Sequence, residues 1–463
     1  MGVFKANDIR GLYPDDWNRE TAYRIGQSLP GIFEGKNIVI GRDGRTSSEE
    51  ILFFLKRGLR EKGIRITDIG QVDTPAVYFA IGNYKFDGGI MITASHNPPG
   101  YNGLKLSGRD AVPIEYTSGI RELEDLVRES DGHVRDRSDR TDREKHPVLR
   151  RDISEDYLSY LADFCPDRRG GGKPLKAVFD CSNGMASVFI RGILKNFPGE
   201  TVILNDIVDG TFPVHGPNPA QPENLEEIRS RVLAEQADIG FCFDGDGDRV
   251  VMVDRTGRII SPDLITAVLG LYYFRNRSSG PTESKTVLVD IRSSNSIRDF
   301  LQDLGARVVV CPVGHARIKK MMREENALFA GELTGHYYFR ENFYCDSAWL
   351  TIFRILSVLL EGETDLAGLS REIMRYHYSG ERNYRLTDKD GVIETLKERY
   401  ADAAVNTMDG VRFDYPDWWF IIRKSGTEPL LRLVAEAGTA EDLEQRIEDI
   451  EGIITEAGGY PDE

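Results

Sequence analysis

The sequence predicts an α/β protein: three related βαβ domains with mixed sheets, then a C-terminal α+β domain, arranged around a central cleft. Three observations lead there. One strand–turn–helix–strand rhythm recurs three times, each recurrence is followed by an apolar run ending in a polar loop, and the pattern changes after about Asp365. The chain has 463 residues, which suits three or four domains at about 100–200 residues each.

The first unit reads NIVIGRDGRTSS from Asn37, then the helical EEILFFLKRGLREKG, then the strand-like IRITDIG. The second reads KAVFDCSNGMAS from Lys176, then VFIRGILKNFPG, then ETVILNDI. The third reads TVLVDIRSSNS from Thr286, then IRDFLQDLG, then ARVVVCPVG. Short β-rich runs alternating with helical patterns imply parallel strands joined by right-handed crossovers. After each unit a further apolar run ends in a polar loop: GGIMI in TASHNP, ADIGFCF in DGDGDR, and ALFA in GELTGH. Open α/β sheets put ligand sites beyond the carboxyl ends of their strands, so three such loops facing one another would line one cleft. The remainder holds the helical VIETLKERYADA and TAEDLEQRIEDIEGII, with strand-like runs flanking RKSGTEP. We place the domains at 1–147 (serine loop), 148–254 (acidic loop), 255–366 (GELTGH loop) and 367–463 (RKSGTEP loop). Asp131–Pro147, charged and poor in apolar residues, suits an exposed connection.

Composition narrows the partners. Lys and Arg number 59 and Asp and Glu 75, a formal charge of −16, which argues against nucleic acid or an anionic membrane. A small anionic substrate stays open, because a cleft can gather basic residues locally. Five scattered cysteines with no CxxC pair fit buried thiols in a reducing, cytoplasmic setting. The opening MGVFKANDIRG has no apolar leader, Ala6 stands where a myristoylation motif needs Ser or Thr, and no apolar run is long enough to span a bilayer.

Four loops carry chemistry. In Asp244-Gly245-Asp246-Gly247-Asp248-Arg249, glycines let three alternating carboxylates converge. Their repulsion calls for a divalent cation, and a partial carboxylate cage suits Mg²⁺ better than Ca²⁺. A solvated acidic turn is the alternative. An EF-hand is excluded, since Arg249 and Arg255 stand where it needs Gly and Glu. In RKSGTEP, Arg423 can clamp a phosphate while Ser425, Thr427 and the backbone around Gly426 wrap it; a plain hairpin turn is the alternative. In Gly331–His336, Glu332 could bridge two vicinal sugar hydroxyls, with Leu333, Thr334, Gly335 and His336 completing the loop; an exposed turn is the alternative. In TASHNPPGYNGLK, Ser95 is no hydrolase elbow, since Thr93 and Asn97 occupy the glycine positions. A free serine is a poor nucleophile, and the acidic loop is its better activator. A Pro-Pro turn with a capping serine is the alternative.

Taken in order, TASHNPPGYNGLK, DGDGDR, GELTGH and RKSGTEP resemble the four signature loops of the α-D-phosphohexomutase family. The resemblance extends to NDIRG at Asn7, DIR at Asp290, VGH at Val313 and DGTFPVHGPNPAQPENL at Asp209. It implies a four-domain enzyme that moves a phosphoryl group between the 1- and 6-positions of a hexose. By matching position, Ser95 would be the phosphoserine, and Asp244, Asp246 and Asp248 would hold Mg²⁺ with it. Glu332, Leu333, Thr334, Gly335 and His336 would read the sugar. Arg423, Ser425, Gly426 and Thr427 would grip the phosphate that is not transferring. Arg10, His96, Lys105, Arg249, Arg292 and His315 would supply charge and proton transfer. Hexose 1,6-bisphosphate would be intermediate and activator, and the partner a sugar phosphate. GELTGH followed by YYF is most similar to the branch acting on mannose and glucose phosphates, phosphomannomutase/phosphoglucomutase. Phosphoglucosamine mutases are the nearest rival, and a non-catalytic sugar-phosphate binder is a more remote one. Three departures bear on the sugar: Leu333-Thr334 replaces Met-Ser, Asn7 stands where an aromatic is common, and SGTEP is closer to the glucosamine enzymes.

Overall fold

The structure is a computed structural model describing residues 2–130, 147–166, 174–275, 284–362, 364–425 and 430–462. Most of the expected connection at 131–147, together with Gly426 and Thr427, lies outside the described residues.

The repeat is a repeat of topology. The first unit is β2 (Asn37–Arg42), the helix Ser48–Glu61 and β3 (Arg65–Gln71), followed by β4 (Gly88–Ile92) and β5 (Tyr101–Gly108). β2 pairs in parallel with both β3 and β4, and β5 runs antiparallel to β4. The second unit repeats this order with β7 (Leu175–Asp180), β8 (Gly199–Leu204), β9 (Ile239–Phe243) and β10 (Val250–Asp254). The third does so with β12 (Thr286–Asp290), β13 (Arg307–Cys311), β14 (Phe329–Gly331) and β15 (Tyr337–Phe339). Edge strands differ: β1 (Ile9–Leu12) and β6 (Leu149–Arg150) extend the first sheet, β11 (Ile259–Ile260) the second and β16 (Cys345–Asp346) the third. The fourth sheet is antiparallel throughout, built from β17 (His377–Tyr378) through β23 (Tyr460–Pro461) and joined by the helices Lys389–Arg399 and Ala440–Glu456.

Side chains alternate across a strand, so each of the first three sheets buries two faces. Ile38 and Ile40 enter a core belonging to the first domain, whereas Val39 between them enters a core shared by three domains. Val178 against Ala177 and Phe179, and Leu288 against Val287 and Val289, divide in the same way. The shared core is filled by the helices Thr74–Tyr84, Pro262–Phe274 and Ala348–Glu361, which are apolar on most of their faces. Such all-round burial is what a helix between layers requires. The C-terminal domain keeps a separate core and meets the third through a small cluster of Ile291, Trp419, Ile421 and Val434.

None of the five cysteines forms a disulfide; Cys165 is half-buried and the rest are buried. Burial pushes the thiols of Cys181, Cys242, Cys311 and Cys345 up, which leaves them unreactive. Among the described residues no helix is long and apolar enough to cross a membrane.

Candidate active site

Strand β4 delivers Ser95 on a loop that the first βα turn holds in place. Arg45, in the GRDGR segment after β2, is buried and donates to four carbonyls of that loop. They are Ser95 O at 2.8 Å, Asn97 O at 2.6 Å, Pro98 O at 2.7 Å and Tyr101 O at 3.0 Å. Its Nε is anchored on Asp43 at 3.1 Å. Ser95 sits at φ +52°, in the left-handed region, with its N–H donating to Thr93 Oγ1 at 2.8 Å. A non-glycine residue held there costs of the order of 1–3 kcal/mol and persists only where the surroundings fix it, which Arg45 does. The neighbouring imidazole, not assured by adjacency alone, does face the serine: His96 Nδ1 lies 3.3 Å from Ser95 Oγ. Burial, then Arg249 and Arg10, push His96 well below its ordinary value, so it is neutral near pH 7. Arg10 donates to Asn97 Oδ1 at 2.7 Å from the other side.

The acidic loop between β9 and β10 meets this serine. Ser95 Oγ donates to Asp244 Oδ2 at 2.9 Å. The two backbones touch as well: a Cβ on Gly245 would fall 2.6 Å from Ser95 O, so only glycine fits there. Facing atoms of Asp244, Asp246 and Asp248 lie within 4.8 Å of one another, all buried. Asp246 is gripped from the first domain, by Thr74 Oγ1 at 2.5 Å and Lys105 Nζ at 2.7 Å, and Lys105 also reaches Asp248 at 2.5 Å. Burial would lower the Lys105 ammonium, but Asp246 and Asp248 hold it well above its ordinary value. Asp244 is pushed well up, by burial and by the charges of Asp246 and Asp248. That is the repulsion a cation relieves. Asp246 Oδ1 and Asp248 Oδ1 are buried without a hydrogen-bond partner among the described residues. Two orphaned carboxylate oxygens beside a third carboxylate and a serine oxygen suit a hard divalent ion. Lys105, expected near a transferring phosphate, here braces the acidic loop.

The Gly331–His336 turn is stitched to the acidic loop, with Val250 N–H donating to Gly335 O at 3.1 Å and Arg249 Nε to His336 Nε2 at 2.9 Å. His336 Nδ1 lies 2.9 Å from Asp346. Nε2 is thus engaged within the protein, whereas Nδ1, close as it lies to Asp346, is buried without a hydrogen-bond partner among the described residues, so His336 ties the loop to Arg249 and keeps one nitrogen open. Glu332 accepts from Tyr338 OH at 3.0 Å and lies 3.9 Å from Arg292, which forks onto Asp290 and reaches Glu381 at 3.2 Å. Leu333 contributes its N–H, which donates to Asp290 at 3.3 Å. Thr334 Oγ1, both nitrogens of His315, Arg423 Nε, Arg10 Nε and Asn7 Oδ1 are buried with no hydrogen-bond partner among the described residues. Burial, then Lys319 and Lys105, hold His315 well below its ordinary value, leaving a neutral ring. Arg423 pairs with Asp409 at 3.0 Å, and Ser425 donates its backbone N–H to Leu430 O at 2.9 Å.

Sequence reading missed several of these supports. Lys319 and Asp346 are buried 2.8 Å apart, with Lys319 also on Tyr78 OH at 2.8 Å. Nothing local in the sequence joins them. A signal did exist for another set. Asp43, Asp180 and Asp290 stand at equivalent ends of the repeat's first strand, and each accepts from the N–H two residues on, at 3.0, 2.9 and 2.9 Å. In the first and third domains the aspartate pairs with the arginine two residues later; in the second, Asp180 pairs instead with His215 at 3.1 Å. His215 and Asp180 lie near Cys242, but both ring nitrogens already have oxygen partners, Nδ1 on Gly216 O at 2.9 Å.

The chain is similar to known proteins over nearly its whole length. Models of the phosphoglucomutase/phosphomannomutase family match residues 1–132 (alpha/beta/alpha domain I), 155–257 (alpha/beta/alpha domain II), 261–377 (alpha/beta/alpha domain III) and 381–453 (C-terminal domain). A phosphomannomutase of Methanocaldococcus jannaschii is 33% identical over 454 residues, covering 98% of this chain and 97% of its own. A phosphomannomutase/phosphoglucomutase of Pseudomonas aeruginosa is 34% identical, with 96% and 93% covered. The crystal structure of a phosphoglucomutase/phosphomannomutase family protein from Burkholderia thailandensis superposes with TM-score 0.83 at 29% identity, covering 98% and 97%.

Proposed function

The chain belongs to the phosphoglucomutase/phosphomannomutase family, and we propose that this phosphohexomutase acts on mannose and glucose phosphates through a phosphorylated Ser95 and a hexose 1,6-bisphosphate. The observation that carries the reading is Ser95 Oγ at 2.9 Å from Asp244, beside two buried carboxylate oxygens without partners. Asp244, Asp246 and Asp248, with an oxygen on Ser95, would hold Mg²⁺, which would draw charge from the phosphoryl oxygens. The chain's own part is positioning and charge. Arg45 and Gly245 fix the donor oxygen, and Lys105 holds Asp246 and Asp248 in place.

In the transfer, the P–Oγ bond to Ser95 breaks and a bond forms from phosphorus to a sugar hydroxyl oxygen. The hydroxyl proton passes to a neutral base, and His315, with no hydrogen-bond partner on either ring nitrogen among the described residues, is the group we assign, while the departing Ser95 Oγ takes up a proton from water and leaves as the hydroxyl. Thr334 and Glu332 would read hydroxyls while Arg423, Ser425 and the Gly426–Thr427 segment grip the distal phosphate. The bisphosphate then turns about, and its other phosphoryl returns to Ser95. We keep the domain limits 1–147, 148–254, 255–366 and 367–463, and a cytoplasmic setting, as part of this proposal.

The test is direct. Purified protein with Mg²⁺ and a trace of glucose 1,6-bisphosphate should interconvert mannose 1- and 6-phosphate, and likewise the glucose pair. Faster turnover of glucosamine phosphate moves the assignment to that sugar, and no turnover of any of the three overturns it.

A further inference from the structure

We propose that Asp409 is a positioning residue for the phosphate clamp: one of its carboxylate oxygens ties the Arg423 guanidinium to the loop that carries His315. The inference rests on the reading of Arg423 as a phosphate ligand. Asp409 Oδ2 accepts from Arg423 Nη2 at 3.0 Å and from the backbone N–H of Val313 at 2.8 Å. Val313 follows β13 in the third domain, two residues before His315, whereas Asp409, in a bend between strands, and Arg423, in a strand, belong to the fourth. One oxygen therefore spans two domains.

Local structure explains why that oxygen is there. β20 (Val411–Asp414) pairs with β21 (Trp418–Lys424) through Val411 and Ile422, so Gly410 comes next to Arg423 at the ladder's end. Gly410 has φ +83°, and a Cβ on it would lie 2.4 Å from Arg423 Cγ. The arginine stem lies over the glycine, and its head folds back to the residue just before it. The pair is sheltered, with side-chain exposures of 14% for Arg423 and 17% for Asp409. Arg423 Nε has no partner among the described residues. Asp409 thus holds the guanidinium by Nη2 and leaves Nε for a phosphate oxygen.

The consequence is coupling. Without Asp409 the clamp and the His315 loop can drift independently, and a phosphate docked on Arg423 no longer fixes the sugar relative to that loop. Asp409→Ala should raise the KM for mannose 1-phosphate, and the Kd for glucose 6-phosphate by calorimetry, by about tenfold, with kcat within about twofold. If the effect acts through Arg423, the same substitution in an Arg423→Ala background should cost less than about twofold. Asp409→Glu should restore part of the affinity. Should Asp409→Ala fail to fold, Asp409→Asn carries the same comparison, since it keeps an acceptor for Val313 without the charge. An equal loss in both backgrounds, or tighter binding from a relieved negative charge, overturns the positioning role. Arg423→Ala with unchanged affinity removes the clamp reading and this proposal together. Weakened Arg423→Ala beside unaffected Asp409→Ala removes this proposal alone.

Discussion

Around Ser95, side chains of the first two domains are largely consumed by one another, with Arg10 Nε and Asn7 Oδ1 the exceptions toward the substrate side. Arg45 spends its donors on the serine loop and Asp43, and Lys105 spans Asp246 and Asp248. Across the cleft, the third and fourth domains leave polar groups without partners among the described residues: Thr334 Oγ1, both nitrogens of His315, His336 Nδ1 and Arg423 Nε. The same βαβ unit underlies both the serine side and the His315 side, so topology does not cause the difference. Its cause is what each side must do. A group that gives up a phosphoryl has to be fixed before the reaction, because reorganising charged groups during transfer costs activation energy. A surface that receives a sugar in two orientations must leave its hydrogen bonds to the ligand. The open Asp246 Oδ1 and Asp248 Oδ1 on the donor side belong to the carboxylate triad that suits a cation.

The sharpest way to break this contrast is at the donor atom. Ser95→Ala should lower kcat/KM by at least about a thousandfold while glucose 6-phosphate still binds, because the receiving side is untouched. Calorimetry beside an assay separates the two, and retained activity would remove Ser95 from its role. Chelation comes next. Stripping divalent ions should cut turnover by about a hundredfold or more and lower Tm, since three buried carboxylates would again repel. A Tm indifferent to chelator would mean that Lys105 and the protonation of Asp244 suffice to balance the triad.

Arg45→Lys tests whether fixation itself matters. Lysine keeps the charge beside Asp43 but cannot reach four carbonyls, so kcat should fall by about ten- to a hundredfold with KM nearly unchanged. A rise in KM with kcat preserved would instead place Arg45 on the binding side. The reverse holds for Thr334→Ala. Its hydroxyl has no hydrogen-bond partner among the described residues, so removing it should leave Tm unchanged or slightly higher while KM rises up to about tenfold. A fall in Tm would show that the hydroxyl is used by the protein after all.

How much of this was legible in the sequence follows the same division. The rhythm of strand, turn and helix was readable because alternation and helical spacing are local, and all three units keep one topology. The four loops were readable because their chemistry is packed into consecutive residues such as DGDGDR. Arg45, Lys319, Asp346 and Asp409 were not, for a physical reason: each acts on atoms far along the chain, 50 residues in the case of Arg45 and Ser95 and 96 for Asp409 and Val313. A lone Arg in GRDGR looks like any turn until the loop it holds is known. His336 was readable as part of GELTGH, but the hydrogen bond that ties it to Arg249, supplied by another segment, was not.

The smallest expected effect sits where the second domain departs from its siblings. His215 replaces the arginine as partner of the first-strand aspartate, and its ring lies between two acceptors, Asp180 Oδ2 and Gly216 O. Only the protonated ring satisfies both. Burial opposes the charge, but the hydrogen bond and charge of Asp180 outweigh it and raise His215 above its ordinary value. A raised value means stability that is fully present below the unfolded value of about 6.5 and lost as pH climbs through the folded one. His215→Asn should therefore cost about 1 kcal/mol at pH 6 and less at pH 9, read as the gap in Tm between variant and parent. The next residues link His215 to the acidic loop, because Pro217 O receives the N–H of Gly245 at 3.2 Å. Apparent affinity for the divalent ion should then weaken two- to threefold, an outer-support effect at the low end of its usual range. Equal Tm losses at both pH values would leave His215 a neutral filler and make the arginine-bearing turns the only charged braces of the repeat.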